Sequence, residues 1–169
     1  MSGQIKYWLI TDTHFNDKRV CRDCNRPLNF EEIIYKNILK ISSHHVLIHL
    51  GDICVGKDQE MHDKYIRQVS CRKWLISGNR DKKSYSWYLN NGWDFVADKI
   101  EITFLNKKIL FSHRPENENG FDLNIHGHYH NAPLLLEKSD KQKCLVLEDL
   151  NYKPILLESF LKRLINSNA

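Results

Sequence analysis

No run of this sequence is apolar and long enough to cross a bilayer, which takes about 20 consecutive apolar residues. Ile5–Ile10 is interrupted by Lys6 and is too short for the core of a signal peptide, so a cytoplasmic location is expected. Nor is there a disulfide framework to read. The five cysteines are odd in number and follow no secretion signal, which argues for reduced thiols. Strong charge of one sign is missing too. A formal net charge of +4 is compatible with an anionic substrate but does not require nucleic acid. A nucleic-acid nuclease needs a long basic track with interleaved aromatics, and Arg19 to Arg26 alone is too little. No internal repeat, low-complexity segment or composition break marks a linker, so residues 1–169 are read as one domain. What is present is ordinary for a globular chain, 41% hydrophobic and 27% charged, and long enough for a real core.

Hydrophobic periodicity predicts alternating strands and helices early and clustered strands late, an α/β arrangement with helices outside. Strands are expected at Gln4–Thr11, Val46–Leu50, Trp74–Ile76, Phe95–Ala97, Ile100–Leu105, Lys108–Phe111, around Leu123–Ile125 and at Cys144–Leu150. Asn106-Lys107 fits a tight turn. Helices are expected at Phe30–Ser42 with Asn29 as N-cap, at Asp58–Val69, at Ser84–Asn90 and at Pro154–Ile165. Phe15–Asn29 and Pro115–Gly120 read as polar loops.

The informative pattern lies where strands stop. Five apolar strands are each followed at once by oxygen or nitrogen donors: Asp12 and His14, then Asp52, then Asn79, then His113, then His128 with His130. In open α/β sheets, sites form at the carboxyl ends of strands. On an extended segment His128 and His130 would fall on one side, and Gly127 would allow close backbone approach. Two carboxylates, one amide and four imidazoles make a donor set without thiolate, suited to Mn²⁺, Fe²⁺ or Zn²⁺. Seven donors exceed one tetrahedral site and fit two metals sharing a carboxylate.

The order Asp12-x-His14, Gly51-Asp52, Gly78-Asn79-Arg80-Asp81, His113 and Gly127-His128-x-His130 resembles the calcineurin-like metallophosphoesterase superfamily. Its short single-domain branch fits best, through Asp12-Thr13-His14-Phe15, Arg26-Pro27 and Asn151-Tyr152-x-Pro154. The resemblance implies a four-layer α/β sandwich with two packed mixed sheets, and a phosphodiesterase that hydrolyses a P–O bond by attack of a metal-bridging hydroxide. It implies two divalent ions per chain, with Mn first and Fe, Zn or Ni as alternatives. Asp12, His14 and His130 would hold one ion; Asn79, His113 and His128 the other; Asp52 would bridge. Asp52, Asn79 and Arg80 are the implied catalytic residues, and Arg80, Arg114 and Arg26 the expected contacts to a small phosphate ester, which a nucleotide would satisfy. A phosphomonoesterase, a pyrophosphatase on a nucleotide-like substrate and a non-catalytic scaffold are the alternatives; ligand completeness favours an enzyme. The oligomeric state is left open.

Two departures matter. Most relatives carry His after the Asn, where this chain has Arg80. Arginine stays charged near neutral pH, so it can grip phosphate but cannot protonate a leaving group. A similar Asn-Arg-Asp occurs in the superfamily's UDP-diacylglucosamine pyrophosphatases, although this chain looks too short for their lipid-covering insertion. Relatives also often continue Gly-His after Phe15, where this chain has Asn16-Asp17. Elsewhere the plainer readings hold: Cys54, Cys71 and Cys144 as small buried hydrophobes, Cys21-x-x-Cys24 as a loop pair, His49 as a satisfied core histidine, His62 as solvated, and Asp81 as a residue orienting its neighbours.

Overall fold

In chain order the strands are β1 (Tyr7–Ile10), β2 (Val46–His49), β3 (Arg72–Ile76), β4 (Phe95–Ala97), β5 (Lys99–Phe104), β6 (Lys107–Ser112), β7 (Leu123–His126), β8 (Gln142–Cys144) and β9 (Ile155–Leu156). The helices are α1 (Arg19–Asp23), α2 (Phe30–Ile38), α3 (Asp58–Met61), α4 (Tyr85–Asn90) and α5 (Leu157–Asn166). This is a computed structural model that describes residues 4–117, 119–130 and 140–166. Position 118 of the expected Pro115–Gly120 loop lies outside the described residues.

The strands form two mixed sheets, ordered β4-β3-β2-β1-β9 and β5-β6-β7-β8. In the first, β1 to β4 run parallel and β9 closes the edge antiparallel. In the second, β5 pairs antiparallel with β6, and β6, β7 and β8 run parallel.

The two-residue period of a strand sorts side chains between layers. Leu9, Val46, Ile48 and Ile76 face Ile109, Phe111, Leu123 and Ile125 between the sheets. Ile10, Leu47 and Leu75 point the other way, onto Phe30, Ile34 and Ile38 of α2 and onto Tyr65 and Tyr88. Each such side chain, removed from water, stabilises the fold by about 1.5–3 kcal/mol. Helix α5 adds Leu157, Phe160 and Leu161 to the cluster between the sheets. The result is an α/β sandwich of two mixed sheets. Among the described residues, no helix is long and apolar enough to cross a membrane.

Several elements differ from expectation. Part of the Phe15–Asn29 loop is helical, as α1. Helix α2 ends at Ile38, and Asn29 makes no side-chain cap; the first turn is tied instead through Glu31, which accepts from the Asn16 N–H at 2.6 Å and the Tyr65 hydroxyl at 2.9 Å. Ser84 does cap α4, accepting from Trp87 N–H at 3.2 Å. The helix expected over Asp58–Val69 passes after Met61 into a π-helical turn, His62–Ile66. That turn places His62 inside, against Trp87, Tyr88 and Trp93, rather than in solvent.

The β5–β6 turn is Leu105-Asn106, both at positive φ, one residue earlier than expected. Pairing in the segment expected as a strand at Cys144–Leu150 stops early, and Glu148–Leu150 forms a 3-10 turn. Pro154 does not start a helix, because Ile155 and Leu156 pair with Leu9 and Trp8 on the open edge of β1. Local helix propensity yields to burial of Ile155 between the sheets.

Candidate metal centre

The loops after β1 and β2 run side by side. Asp12, His14 and Phe15 donate their N–H groups to the carbonyls of Gly51, Asp52 and Ile53 at 2.9, 3.1 and 2.9 Å. The loop after β3 joins them mainly through Asp81, whose carboxylate accepts from the N–H groups of Asp52, Ile53 and Gly78 at 2.8, 3.0 and 2.8 Å. The second sheet is tied in by Gly127 N–H on the His113 carbonyl at 3.1 Å and by His128 N–H on Asp12 Oδ2 at 2.9 Å. The carboxyl ends of β1, β2, β3, β6 and β7 therefore meet at one place.

The backbone there is strained. Asp12, His14, Asp52 and His128 have φ of 49°, 48°, 57° and 75°. Non-glycine residues in this region cost on the order of 1–3 kcal/mol each and persist where surrounding contacts over-determine them, typically at functional sites.

Two donor groups result. Asp12, His14 and His130 form the first, with Asp12 Oδ1 3.6 Å from His14 Nε2 and 3.7 Å from His130 Nε2. Asp52, His113 and His128 form the second, joined by Asn79: His113 Nε2 lies 3.5 Å from Asp52 Oδ1, 3.1 Å from Asn79 Oδ1 and 3.1 Å from His128 Nδ1. Asp52 links the groups, since its Oδ2 is 3.6 Å from His14 Nε2. The expectation of a shared face for His128 and His130 is corrected. The extended run ends at His126, His128 turns left-handed, and each imidazole joins a different group.

The donor set fits a cation. Among the described residues, Asp12 Oδ1 and His14 Nε2 are buried without a hydrogen-bond partner, whereas buried polar atoms are nearly always paired. Donors each about 2.1 Å from one ion sit roughly 3–3.5 Å from one another. These buried Asp and His groups can bind metal ions.

Neighbouring groups tune the imidazoles differently. His113 Nδ1 faces the Leu50 carbonyl at 2.8 Å, which puts its proton there and leaves Nε2 free. Burial pushes His128 below the ordinary histidine range, with His113 and Arg114 adding to it. His130 is pushed up: burial opposes this, but the Glu148 and Asp12 carboxylates prevail. Asp12 lies well below the usual carboxylate range; burial works against ionisation, and the surrounding imidazoles of His14, His113 and His130 overcome it.

The three arginines expected on substrate part company. Arg80 is exposed, while its backbone N–H donates to Asp52 Oδ1 at 2.7 Å. Arg114 is exposed, with Nη2 3.4 Å from Asn79 Oδ1. Arg26 is a correction: its side chain is 0% exposed and its donors are taken by Glu148, Asp12 and Thr13, so it does not face a substrate. Arg19 and Arg22 pair with Asp17 and Asp23.

Two acids were not singled out as part of the site from sequence. Glu148 Oε1 lies 3.1 Å from His130 Nδ1, and Asp17 Oδ2 lies 3.7 Å from His14 Nδ1. For Glu148 no sequence signal existed, because its segment reads as a strand. For Asp17 the signal was its place three residues after His14. His49 is a satisfied core histidine. Its Nδ1 accepts from Gly51 N–H at 3.1 Å, so Nε2 carries the proton and faces Thr13 Oγ1 at 2.9 Å. Burial holds its pKa at about 3. None of the five cysteines forms a disulfide, and Cys144 is only half-buried, against the Gly127 and Tyr129 carbonyls.

Gly127 has no room for a side chain. A Cβ there would collide with Thr11 Oγ1 and meet Asp12 Oδ2. Gly127→Ala is expected to destabilise by about 1–3 kcal/mol through overpacking and to weaken binding at the Asp12 group. Thermal unfolding with and without Mn²⁺ checks this; unchanged midpoints in both would contradict it.

No protein-family model matches the chain. The uncharacterized protein MJ1445 of Methanocaldococcus jannaschii is 25% identical over 171 residues, spanning 93% of this chain and 90% of that protein. A protein of unknown function from Aquifex aeolicus, AQ665, has a crystal structure similar at a TM-score of 0.75 and 25% identity, covering 94% of this chain and 99% of that one. A novel archaeal phosphodiesterase is similar at a TM-score of 0.51 and 16% identity, covering 90% of this chain and all (100%) of that one. The chain thus shares, almost end to end, a fold that one archaeal phosphodiesterase also has.

Proposed function

We propose that this protein is a dinuclear metal-dependent phosphoesterase of the calcineurin-like metallophosphoesterase superfamily, with that superfamily's four-layer sandwich, and that it hydrolyses small phosphodiesters. One observation carries the reading. The two oxygens of Asp52 face different histidine groups, Oδ2 toward His14 at 3.6 Å and Oδ1 toward His113 at 3.5 Å. A carboxylate so placed suits two cations side by side, and the archaeal phosphodiesterase of similar fold supports the same class.

Asp12, His14 and His130 would hold one ion; Asn79, His113 and His128 the other; Asp52 would serve both. The donor chemistry admits Mn²⁺, the first choice, and also Fe²⁺, Zn²⁺ or Ni²⁺. When bound, such a pair neutralises charge on phosphoryl oxygens and acidifies water. The chain's own residues do the rest. Arg80 N–H fixes Asp52 Oδ1, and Arg114 Nη2 lies 3.4 Å from Asn79 Oδ1; Arg80 and Arg114 are both exposed, and their guanidinium groups can fork onto a phosphate.

Arg80 cannot give a proton to the departing oxygen. The leaving group must therefore be stable as an anion, which favours diesters and anhydrides with acidic leaving groups. The test is metal-stripped protein supplied with each cation in turn. With its preferred ion, kcat/KM for bis-p-nitrophenyl phosphate is expected to exceed that for p-nitrophenyl phosphate by about tenfold, on the order of 1.4 kcal/mol. Equal or better turnover of the monoester would defeat the diester assignment.

A further inference from the structure

The sequence carries two short motifs, Arg26-Pro27 and Asn151-Tyr152-x-Pro154, that the two donor groups leave without a role. They meet in space. The Arg26 guanidinium lies between two rings, 5.3 Å from the centre of Phe30 and 6.0 Å from that of Tyr152. Tyr152 is held in a left-handed conformation at φ 59°, its N–H on the Leu147 carbonyl and its carbonyl accepting from Asn37 Nδ2, both at 3.1 Å.

From that clamp Arg26 lies 3.3 Å, through Nη2, from His130 Nδ1 itself and reaches three oxygen acceptors. Nη2 donates to the Asp12 carbonyl at 2.8 Å, Nη1 to the Thr13 carbonyl at 3.1 Å, and Nε to Glu148 Oε1 at 2.8 Å. That same Glu148 oxygen stands 3.1 Å from His130 Nδ1. One buried cation thus ties the peptide that carries Asp12 to the acid behind His130.

Among the described residues, no carboxylate backs His113 of the second donor group in this way. His113 rests its Nδ1 on a neutral acceptor, the Leu50 carbonyl, at 2.8 Å. An imidazole backed by a carboxylate is the more basic donor, and loss of such a partner typically costs 10–100-fold in metal affinity. Cys24, His130 and Glu148 also cluster closely enough to be considered for an ion of their own. The Arg26 charge, 2.8 Å from Glu148, already occupies that role.

We infer that Arg26, Glu148 and Tyr152 are positioning residues that set the cation affinity of the Asp12–His14–His130 position and leave the Asn79–His113–His128 position unchanged. The inference rests on the two-ion reading above. Manganese titration of the full chain, followed by electron paramagnetic resonance and by competition with a chromophoric chelator, tests it on the parent protein, Glu148→Gln and Arg26→Lys. Glutamine keeps the shape of Glu148 without its charge, and lysine cannot reach all three acceptors from one head group.

In both variants one ion is expected to bind about 10–100-fold more weakly while the other stays within about threefold. The resonance of a coupled manganese pair should give way to that of an isolated ion, with far-ultraviolet circular dichroism unchanged. Should Arg26→Lys fail to fold, Glu148→Gln alone decides. If the parent binds two ions and both affinities fall equally, or neither moves, the positioning role is overturned and the two-ion reading stands. If the parent binds no ion, the reading falls and the positioning role with it.

Discussion

Asp52→Asn is expected to lower kcat/KM on a phosphodiester by about a thousandfold or more, on the order of 4 kcal/mol at the transition state. The shape is conserved, so the cause is the exchange of one donor oxygen for an amide NH₂. In the native protein the Asp52 oxygens face His14 and His113 at 3.6 and 3.5 Å. The amide can serve only one of them and presents hydrogens to the other. The oxygen it keeps should stay on the Arg80 N–H, now 2.7 Å from Oδ1. The loss should therefore fall on the His14 side. Counting ions in dialysed protein separates this from a folding defect: the variant should hold fewer ions at an unchanged circular dichroism spectrum. Full activity with two ions retained would contradict the bridging role.

The second large effect is expected at Asp81, whose carboxylate accepts the N–H groups of Asp52, Ile53 and Gly78. Asp81→Ala leaves those donors unpaired in the protein interior, where each costs about 1–3 kcal/mol. A total of about 3 kcal/mol or more lowers the thermal midpoint by roughly 6–12 °C for a chain of this size. The consequence for the site is direct. The segment carrying Asp52 and that carrying Asn79 are joined through this side chain and through the Arg80 N–H on Asp52 Oδ1, and a Cβ at Gly51 would meet Gly78 N at only 2.6 Å. Without Asp81 only the Arg80 hydrogen bond of these remains, and ion binding should weaken at the His113 position as stability falls. A midpoint within about 2 °C of the parent would show that other contacts hold the loops.

The donors themselves were legible because each follows directly on a short apolar strand. Val46–Leu50 stops at Gly51-Asp52, and Trp74–Ile76 stops at Ser77-Gly78-Asn79. Such runs have few ways to bury both faces, and one is a parallel sheet whose carboxyl ends gather. The helical spacing of Ile33, Ile34, Ile38, Leu39 and Ile41 made the helix legible for the same kind of reason, and of these Ile34, Ile38 and Ile41 are buried while Leu39 is exposed. The Leu105-Asn106 turn was missed by one residue, because register is set by pairing across β5 and β6 and not by the turn sequence alone.

Residue types and their order along the chain were thus enough to single out side chains that the structure brings together. The tertiary structure alone decided which imidazole joins which group, and that Arg26 is buried behind the site instead of facing a substrate. It alone put Glu148 at His130 and paired Ile155 with Leu9. The physical reason is common to these cases. Each depends on contacts between residues far apart in sequence, or on a left-handed backbone at Asp12, His14, Asp52 and His128 that local preference disfavours and only the assembled hydrogen bonds maintain.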